Sequence, residues 1–562
     1  MEDRTKLREY IRNHLATMKS IRQRGDDRRV LCCEMLNYRL DDLHSPVSRR
    51  KLYSPIAIDA ILTTQRGMAG YMLSPSIRWF RFVTKGSHFE PSDALYGAND
   101  WLELVENLIY AVFSNSRFYS NSLMALGDCL IVGTSYEMVT DEVINGQIIY
   151  DCFSPFECYI AEDGQRNVNT FYREYRMTAD EAYAKWGKDT PKDIIDLCNN
   201  ESGSTECEFI HAIFPRDNAE IADVPVPAAG SKRYASVHYS TVGNTVFKVS
   251  GYDDFPVAVH RYRLVDGTPY GASLASDNLE LIIEDDDLWK KYNKATAKLV
   301  DPPVWAPTSL RGRVALNAGS ILYGNTQEGE VKPIATQIDI NALAQHKNEV
   351  DAMLNRLLFS DLFNVLMRQE RQRTAYEVQE LKGEGLVLLS AIIGNMQVEK
   401  LNPLVLRTFN IMYRNGMLPE APDELKKAWA QGRVQIELEG PLAQTMRQYH
   451  QTTGLAQGMQ WISSWAQLFP QSMSNIDGDE GMRQGATSFG WPQSAIRERA
   501  DVEKIRRQQM ENEQRAQQQQ EALAQSQVAK NLGVDAQQLA QAMASQGSDA
   551  QQMLQNGRGI GA

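Results

Sequence analysis

One helix-forming segment, residues 273–299, is bounded so sharply that it limits the folds open to the whole chain. The turn "VDGTPYGASLA" at 265–275 precedes it and "DPP" at 301–303 ends it, because proline cannot continue a helix. A helix of this length reaches about 40 Å. Its apolar side chains fall roughly on one face, at Leu279, Ile282, Ile283, Trp289, Tyr292 and Thr296. Such a stripe needs packing partners along its whole length.

The turn before this helix raises the question of phosphate binding, because glycine-rich turns at helix N-termini often hold phosphates. The turn contains neither GxxxxGK[ST] nor GxGxxG, and no lysine follows where a phosphate would lie. We therefore interpret Gly267, Tyr270 and Gly271 as a tight corner between a strand and a helix. The glycines would serve backbone geometry there.

The acidic run at 284–287, "EDDD", could suggest a magnesium site on the same helix. Four consecutive acids point around a helix rather than at one ion. We expect a solvated or ion-paired face, with pairs 286–290 and 287–291. The acids precede the lysines at 290, 291, 294 and 298, an order that suits the helix dipole.

The chain before the turn divides into a helical layer, residues 1–129, and a β-rich layer, residues 130–263. Helical spacing of apolar residues covers 1 to about 45, 55–73 and 100–126, and strand-like alternation then begins near residue 130.

Two local signals lie inside the β-rich layer. Asn145-Gly146 predicts a two-residue hairpin turn. Thr178 and Glu181 have the spacing of a capping box at the start of a short helix.

A second long helix is predicted from about 341 to 367, after a short strand-like stretch broken by glycines. The basic break "MRQERQR" follows it, and its three arginines either form a solvated loop or face DNA: Arg368, Arg371 and Arg373. A capping box of Thr374 and Glu377 then starts a third helix.

The third helix continues toward Tyr413, with kinks expected at its glycines and at Pro403. Residues 417 to about 500 are mixed and mostly helical in pattern. Beyond them the chain is rich in Gln and Ala and nearly free of aromatic residues, which predicts an exposed helix or a disordered tail.

Charge and motifs exclude several function classes. The net charge of −12 argues against tight, sequence-specific nucleic-acid binding, although it allows a protein past which DNA slides. No apolar run is long enough for a membrane span, no secretory signal precedes the first helix, and the seven cysteines suit reduced thiols. No metal-ligand or hydrolase motif is present, so we expect no cofactor and no catalytic site.

The order of these segments resembles the portal proteins, or head-to-tail connectors, of tailed bacteriophages, and more closely those of short-tailed phages. Four stretches between about 100 and 416 carry the resemblance. The most specific parts are "YGAS" at 270–273, "DPP" at 301–303 and "TAYEV" at 374–378, within "HRYRLVDGTPYGASLASDNLELIIEDDDLWKKYNKATAKLVDPPVWAP" and "RQRTAYEVQELKGE". The other two stretches are "DWLELVENLIYAVFSNSRFYSNSLMALGDCLIVGTSYEMV" and "FYREYRMTADEAYAKWG".

The resemblance implies an α+β portal fold, assembled as a closed dodecameric ring around a channel. It assigns residues 1–272 to a wing, 273–299 to a first stem helix, 300–338 to a small β-containing clip, 339–367 to a second stem helix, 368–373 to a tunnel loop, 374–416 to a long kinked wing helix, 417–504 to a mostly helical crown and 505–562 to the Gln/Ala-rich tail. A closed heterologous ring would supply the packing partners that the long helices need.

The resemblance also implies a function and partners. A portal ring at one capsid vertex passes double-stranded DNA without sequence preference during packaging and ejection, docks the packaging motor (the terminase large subunit) and later the tail. Further implied partners are the major capsid protein, the scaffolding protein, a tail adaptor and internal core or ejection proteins, in a virion component made in the bacterial cytoplasm. The alternatives are another ring-forming virion component such as a tail adaptor, or, more remotely, a nucleic-acid-processing enzyme.

Overall fold

The structure is a computed structural model. It describes residues 2–42, 45–84, 96–144, 146–200, 202–222, 224, 226, 232–300, 304–305, 332–333, 339–367, 389–430, 434–440, 478–479, 481–483 and 499–531. The chain forms two compact units, Met1–His450 and Gln451–Ala562, each with most of its residue contacts inside itself. Helices and several antiparallel sheets are both present, so the α+β class predicted from the sequence is confirmed.

The described part of the first layer contains four helices and one strand: α1 (Glu2–Met35), α2 (Ile56–Met72), β1 (Phe80–Thr84), α3 (Tyr96–Ser114) and α4 (Phe118–Ile131). The first helix ends at Met35, so its predicted extension to about 45 is wrong. Asn37 and Arg39 have positive φ angles of 48° and 55°, which end the helix. This bend carries the Arg39 guanidinium to the fully buried Asp128 carboxylate, with Nε and Oδ1 2.7 Å apart.

The second layer is β-rich, as predicted. Its elements are β2 (Thr134–Ile144), β3 (Gln147–Phe153), β4 (Cys158–Glu162), β5 (Val168–Thr178), α5 (Ala179–Trp186), α6 (Lys192–Asn199), β6 (Glu206–Pro215), α7 (Arg216–Ile221), β7 (Tyr234–Ser240), β8 (Thr245–Tyr252) and β9 (Val257–Arg261). The strands form an antiparallel three-stranded sheet, β3-β2-β9, and an antiparallel five-stranded sheet, β4-β5-β6-β7-β8.

Both local signals in this layer are confirmed. Ile144 pairs with Gln147 across a two-residue turn in which Gly146 has φ +78°. Thr178 accepts a hydrogen bond from the Glu181 amide while Glu181 accepts one from the Thr178 amide, which completes the capping box.

The amphipathic α1 covers one face of the five-stranded sheet. Leu7, Ile11, Leu15 and Met18 share one side of the helix at helical spacing and are buried against Tyr172 and other residues of β5, β6 and β7. A second core lies among the helices α2, α3 and α4 and the later helices of the same unit. A helix from the start of the chain therefore packs against the β-rich layer.

The helix after the corner is interrupted once, so the prediction of one continuous helix over 273–299 is wrong. Ser273 caps α8 (Leu274–Asp277), and α9 (Leu279–Val300) follows. Between them Asn278 leaves helical geometry, and its side-chain amide donates to the Leu274 carbonyl at 2.9 Å. Asparagine favours such local bonds over continued helix.

Two short strands, β10 (Val304–Trp305) and β11 (Lys332–Pro333), pair antiparallel after α9. The following α10 (Ile340–Leu357) packs against α9. It is separate from α11 (Ser360–Met367), so the prediction of a single helix from about 341 to 367 is also wrong.

The break before α11 has a packing cause. Phe359 has φ +62°, and the freed Leu358 carbonyl accepts a 2.5 Å hydrogen bond from the Thr64 hydroxyl. The bend places Phe363, which is fully buried, directly over Gly67 of α2. A Cβ on Gly67 would lie 2.3 Å from the Phe363 ring, so only glycine admits this contact.

The last elements of the first unit are α12 (residues 389–396), a π-helical turn at Gln397–Leu401, α13 (Asn402–Arg414), α14 (Asp423–Ala430) and β12 (Val434–Leu438). The π-helical turn lies between Gly394 and Pro403, two of the positions where kinks were predicted. β12 pairs with β1 over five residues. Sequence patterns missed both of these strands.

In the second unit the longest described element is α15 (Arg499–Asn531). Its described side chains from Arg506 to Gln520 are exposed, which fits the exposed-helix alternative for this part of the tail. The Arg506 guanidinium makes two 2.6 Å hydrogen bonds to the Asp479 carboxylate. Within the described residues, no helix is both long and apolar enough to cross a bilayer.

The five-stranded sheet contains a stacked histidine pair. The rings of His211 and His238 lie 4.0 Å apart and nearly parallel, and His211 Nε2 is 2.9 Å from the Ser236 hydroxyl. Burial, and then the nearby Lys248 and Lys185 charges, lower the pKa of His238 to about 3. The folded state therefore keeps this histidine neutral while the unfolded chain protonates it below about pH 6.5.

We expect stability to fall as the pH drops from about 6.5 toward 3, with His238 contributing up to about 1.4 kcal/mol per pH unit. In His238→Gln the free energy of unfolding, measured by denaturant titration, should depend less on pH over this range. His346→Gln is the control, because His346 is half exposed. Equal pH slopes for the parent and His238→Gln would contradict this assignment.

Candidate functional site: the corner before the long helix

The turn at 264–273 is a closed loop held at its base. Ala272 donates a 2.9 Å hydrogen bond to the Arg263 carbonyl, which joins the two sides of the turn as an antiparallel bridge. Gly267 lies at the tip with φ +77° and open space around it. Its requirement for glycine is therefore conformational rather than steric.

Gly271 is a point of close backbone approach. A Cβ on Gly271 would lie 2.4 Å from the Gly133 carbonyl oxygen, and a Cβ on Gly133 would lie 2.4 Å from the Gly271 carbonyl oxygen. Gly133 also has φ +99°. The Gly271 amide donates to the Thr134 hydroxyl at 3.0 Å, so the turn is bonded to the start of β2.

Tyr270 anchors the turn in the core of the β-rich layer. Its side chain is buried among residues of both sheets, and its hydroxyl accepts a 3.3 Å hydrogen bond from the Ile160 amide. The Arg29 guanidinium of α1 lies 5.0 Å from the centre of its ring. Burial raises the pKa of Tyr270 to about 12, so the hydroxyl stays protonated.

Arg261, at the end of β9, joins the turn to the rest of the unit. Its side chain is 4% exposed. The Nε atom donates to Glu399 at 2.9 Å and Nη1 donates to Glu162 at 2.9 Å. Two backbone carbonyls, those of Arg166 and Pro269, accept from the remaining N–H groups at 2.9 and 3.4 Å. One buried guanidinium thus links β9, β4, the turn and the π-helical turn.

The residue after Glu399 makes a second buried ion pair, in which the π-helical turn supplies the positive charge and the sheet supplies the carboxylate. Lys400, 1% exposed, pairs with Glu137 of β2 and donates to the Ser122 carbonyl at 3.3 Å. The Ser122 hydroxyl donates to Glu137 at 2.8 Å. A shift of the helix by one residue would set Glu399 against Glu137 or Lys400 against Arg261. The two pairs therefore fix the register of the π-helical turn on the sheet.

We predicted that the acidic run at 284–287 of α9 forms a solvated or ion-paired face. This prediction is wrong for two of the four acids, which are buried. Asp286 accepts hydrogen bonds from the Tyr53 and Ser54 amides, the second at 3.0 Å. Asp285 is 0% exposed. Burial, together with the neighbouring Asp351 and Asp286 carboxylates, raises the pKa of Asp285 to about 7.

Asp351 belongs to α10, so these acids lie where the two long helices meet. Trp289 Nε1 donates to Asp351 at 3.2 Å, and Lys347 pairs with Asp351 at 2.8 Å. The Lys347 ammonium also lies 4.1 Å from the Trp289 ring centre.

Five predicted site residues lie outside the described residues: Arg368, Arg371, Arg373, Thr374 and Glu377. The structure brings Gly267, Tyr270 and Gly271 together in the turn. Over the part of the chain that the structure describes, no group of three or more His, Cys, Asp or Glu side chains is arranged to hold a metal ion.

We expect Gly271→Ala to destabilise the fold by about 1–3 kcal/mol, because the new methyl group meets a backbone oxygen that cannot rotate away. Thermal or denaturant unfolding of the purified chain measures the loss. The matched control is Gly70→Ala in α2, where a Cβ meets nothing within 4 Å, and alanine should stabilise that helix slightly. A Gly271→Ala protein as stable as the parent would show that the turn can move aside.

Comparison with known proteins supports a specific family. The sequence profile described as "Bacteriophage head to tail connecting protein" matches residues 8–496. The chain is 27% identical over 498 residues to the portal protein of Salmonella phage epsilon15, covering 86% of each chain. It is 26% identical over 473 residues to the probable portal protein of Bordetella phage BPP-1, covering 82% of each.

The family match extends well beyond residues 100–416, which contain the four stretches that resemble portal proteins. It includes most of α1, the corner with its buried Arg261, and both long helices. The chain therefore belongs to the bacteriophage head to tail connecting protein family.

Proposed function

We propose that this chain is the subunit of a portal ring, which forms the channel at one capsid vertex through which double-stranded DNA is packaged and ejected. The observation that carries the proposal is the family match over residues 8–496, together with its relatives named as portal proteins. Both relatives are matched over most of their length. No catalytic role is proposed.

The paired long helices support a stem within such a ring. α9 and the α10–α11 pair flank the segment 301–338, whose described residues form a two-stranded ladder. We assign α8 and α9 to the first stem helix, 301–338 to the clip, and α10 and α11 to the second. The corner with Gly271 then aims the first stem helix out of the wing.

In this proposal the wing includes the helical and β-rich layers and also residues that follow the second stem helix in the sequence. Because β12 pairs with β1, we place the start of the crown after residue 440 rather than at 417. The segment 368–373 is proposed as the tunnel loop, and residues 374–416 as the long wing helix that leads back to the sheet.

The ring is proposed to be a dodecamer, as the resemblance implies. Its proposed partners are double-stranded DNA, the terminase large subunit, the major capsid and scaffolding proteins, a tail adaptor and internal core or ejection proteins. The protein would be made in the bacterial cytoplasm and end in the virion. The net charge of −12 suits a channel that must move DNA without binding it firmly.

The tunnel loop gives a test of the channel. Replacing Arg368, Arg371 and Arg373 with Gln should leave ring assembly unchanged, since each arginine would contact phosphate rather than a neighbouring helix. Particles assembled with this variant should retain less full-length DNA, and the deficit should vary with salt. Electron microscopy of the purified rings and gel analysis of the particle DNA measure the two effects.

The tunnel-loop assignment and the portal proposal can be contradicted independently. Normal DNA retention by the triple variant would remove the loop assignment and leave the portal proposal standing. A parent chain that forms no rings with a central hole, at high concentration and with native helical content, would contradict the portal proposal itself.

A further inference from the structure

The C-terminal half of α9 carries an unusual concentration of positive charge. From Leu288 to Val300 the helix contains four lysines and no acid: Lys290, Lys291, Lys294 and Lys298. Lys291, Lys294 and Lys298 are exposed and follow one another at spacings of three and four residues. Residues so spaced are neighbours on the helix surface, so these lysines form a continuous basic ridge.

The segment that contains Tyr53 extends the basic ridge at its N-terminal end, beside Lys290. The ammonium groups of Lys51 and Lys290 each lie 5.5 Å from the centre of the Tyr53 ring. The hydrogen bonds from the Tyr53 and Ser54 amides to Asp286 fix this segment against α9. The exposed Lys51 therefore lies on the same tyrosine ring as Lys290, the first lysine of the helix.

Among the described residues, no carboxylate forms an ion pair with Lys291 or Lys294, so the expected pair 287–291 is not formed. By contrast, the acids in the first half of α9 do have partners, since Glu280 pairs with Arg28 at 2.9 Å and Glu284 lies 3.7 Å from His346. Like charges at this spacing each cost a few tenths of a kcal/mol.

The helix dipole explains only part of the ridge. Its favourable effect on cations is confined to the last turn. Lys298 lies in the last turn of α9, whereas Lys291 and Lys294 lie further back.

We propose that this ridge, formed by Lys51, Lys290, Lys291, Lys294 and Lys298, is a docking surface for an acidic and partly apolar segment of another protein. The surface shares no residue with the proposed tunnel loop and does not depend on DNA passing through a channel. An acidic segment would neutralise the row of lysines and remove their mutual repulsion. Because the chain as a whole carries a net charge of −12, a local basic surface would steer such a segment toward it.

A protein segment suits the surface better than a nucleic acid does. Directly beyond the lysines, Leu299 and Val300 are 45% and 75% exposed. A DNA backbone offers phosphates but no apolar group to cover these side chains, whereas an acidic peptide with leucines offers both. Burying the two apolar side chains would add about 25 cal/mol for each Å² removed from water.

The test uses the full chain and two fluorescent probes, a peptide of repeated Glu-Glu-Leu units and a short double-stranded DNA. We expect the peptide to bind with an affinity that falls with salt and drops at least about tenfold in the Lys291→Glu, Lys294→Glu, Lys298→Glu variant. The control reverses three exposed lysines elsewhere, Lys188, Lys192 and Lys427, with the same change in net charge. This control should keep most of the peptide affinity.

Three results would overturn the proposal. They are no peptide binding by the parent chain, an equal loss in the ridge variant and the control, and a loss confined to the DNA probe, which would make the ridge a nucleic-acid surface. Circular dichroism checks that each variant is folded. If the glutamate variant unfolds, the same comparison is made with Lys→Gln at the three positions, where a smaller loss in the same direction is expected.

Discussion

The buried Arg261 guanidinium is the interaction on which the arrangement of the first unit depends. Taking a guanidinium out of water is costly unless carboxylates and carbonyls surround it, and here Glu162, Glu399 and two backbone carbonyls do so. These acceptors come from sequence positions up to 138 residues away. The guanidinium can be satisfied only when β9, the turn and the π-helical turn are all in place, so the ion network makes their positions mutually dependent.

The glycine corner and the long helices follow from that arrangement. With β9 and β2 fixed, the contact between Gly133 and Gly271 sets how closely the turn approaches the sheet, and Ser273 then caps the first turn of α8. In the proposed ring the direction of the stem is thereby fixed by the wing. On the other side of the network, Glu399 and Lys400 hold the helix that the tunnel loop is proposed to precede.

The sequence predicted elements whose cause is local and missed those whose cause is tertiary. The hairpin at 145–146 and the Thr178 capping box depend on residues a few positions apart, and both are confirmed. The break at Phe359 was missed because it arises from packing of Phe363 on a helix almost 300 residues earlier. The break at Asn278 is an exception, since its cause is a local bond of the asparagine side chain and it was missed all the same. Within the site, the glycine turn was visible as a pattern. Arg261 and Glu399 carry no local signal, because a buried ion pair is defined only by contacts between distant segments.

A double-mutant cycle on Arg261 and Glu399 tests most directly whether this network holds the unit together. The free energies of unfolding of Arg261→Met, Glu399→Gln and the double variant are compared with that of the parent. Each single change should cost about 3–5 kcal/mol, because it leaves a buried charge without its partner, and the coupling energy should reach about 2–3 kcal/mol. The exposed pair Arg78–Glu103 provides the reference cycle, with coupling below about 1 kcal/mol. Additive effects of the two changes at Arg261 and Glu399 would contradict the account.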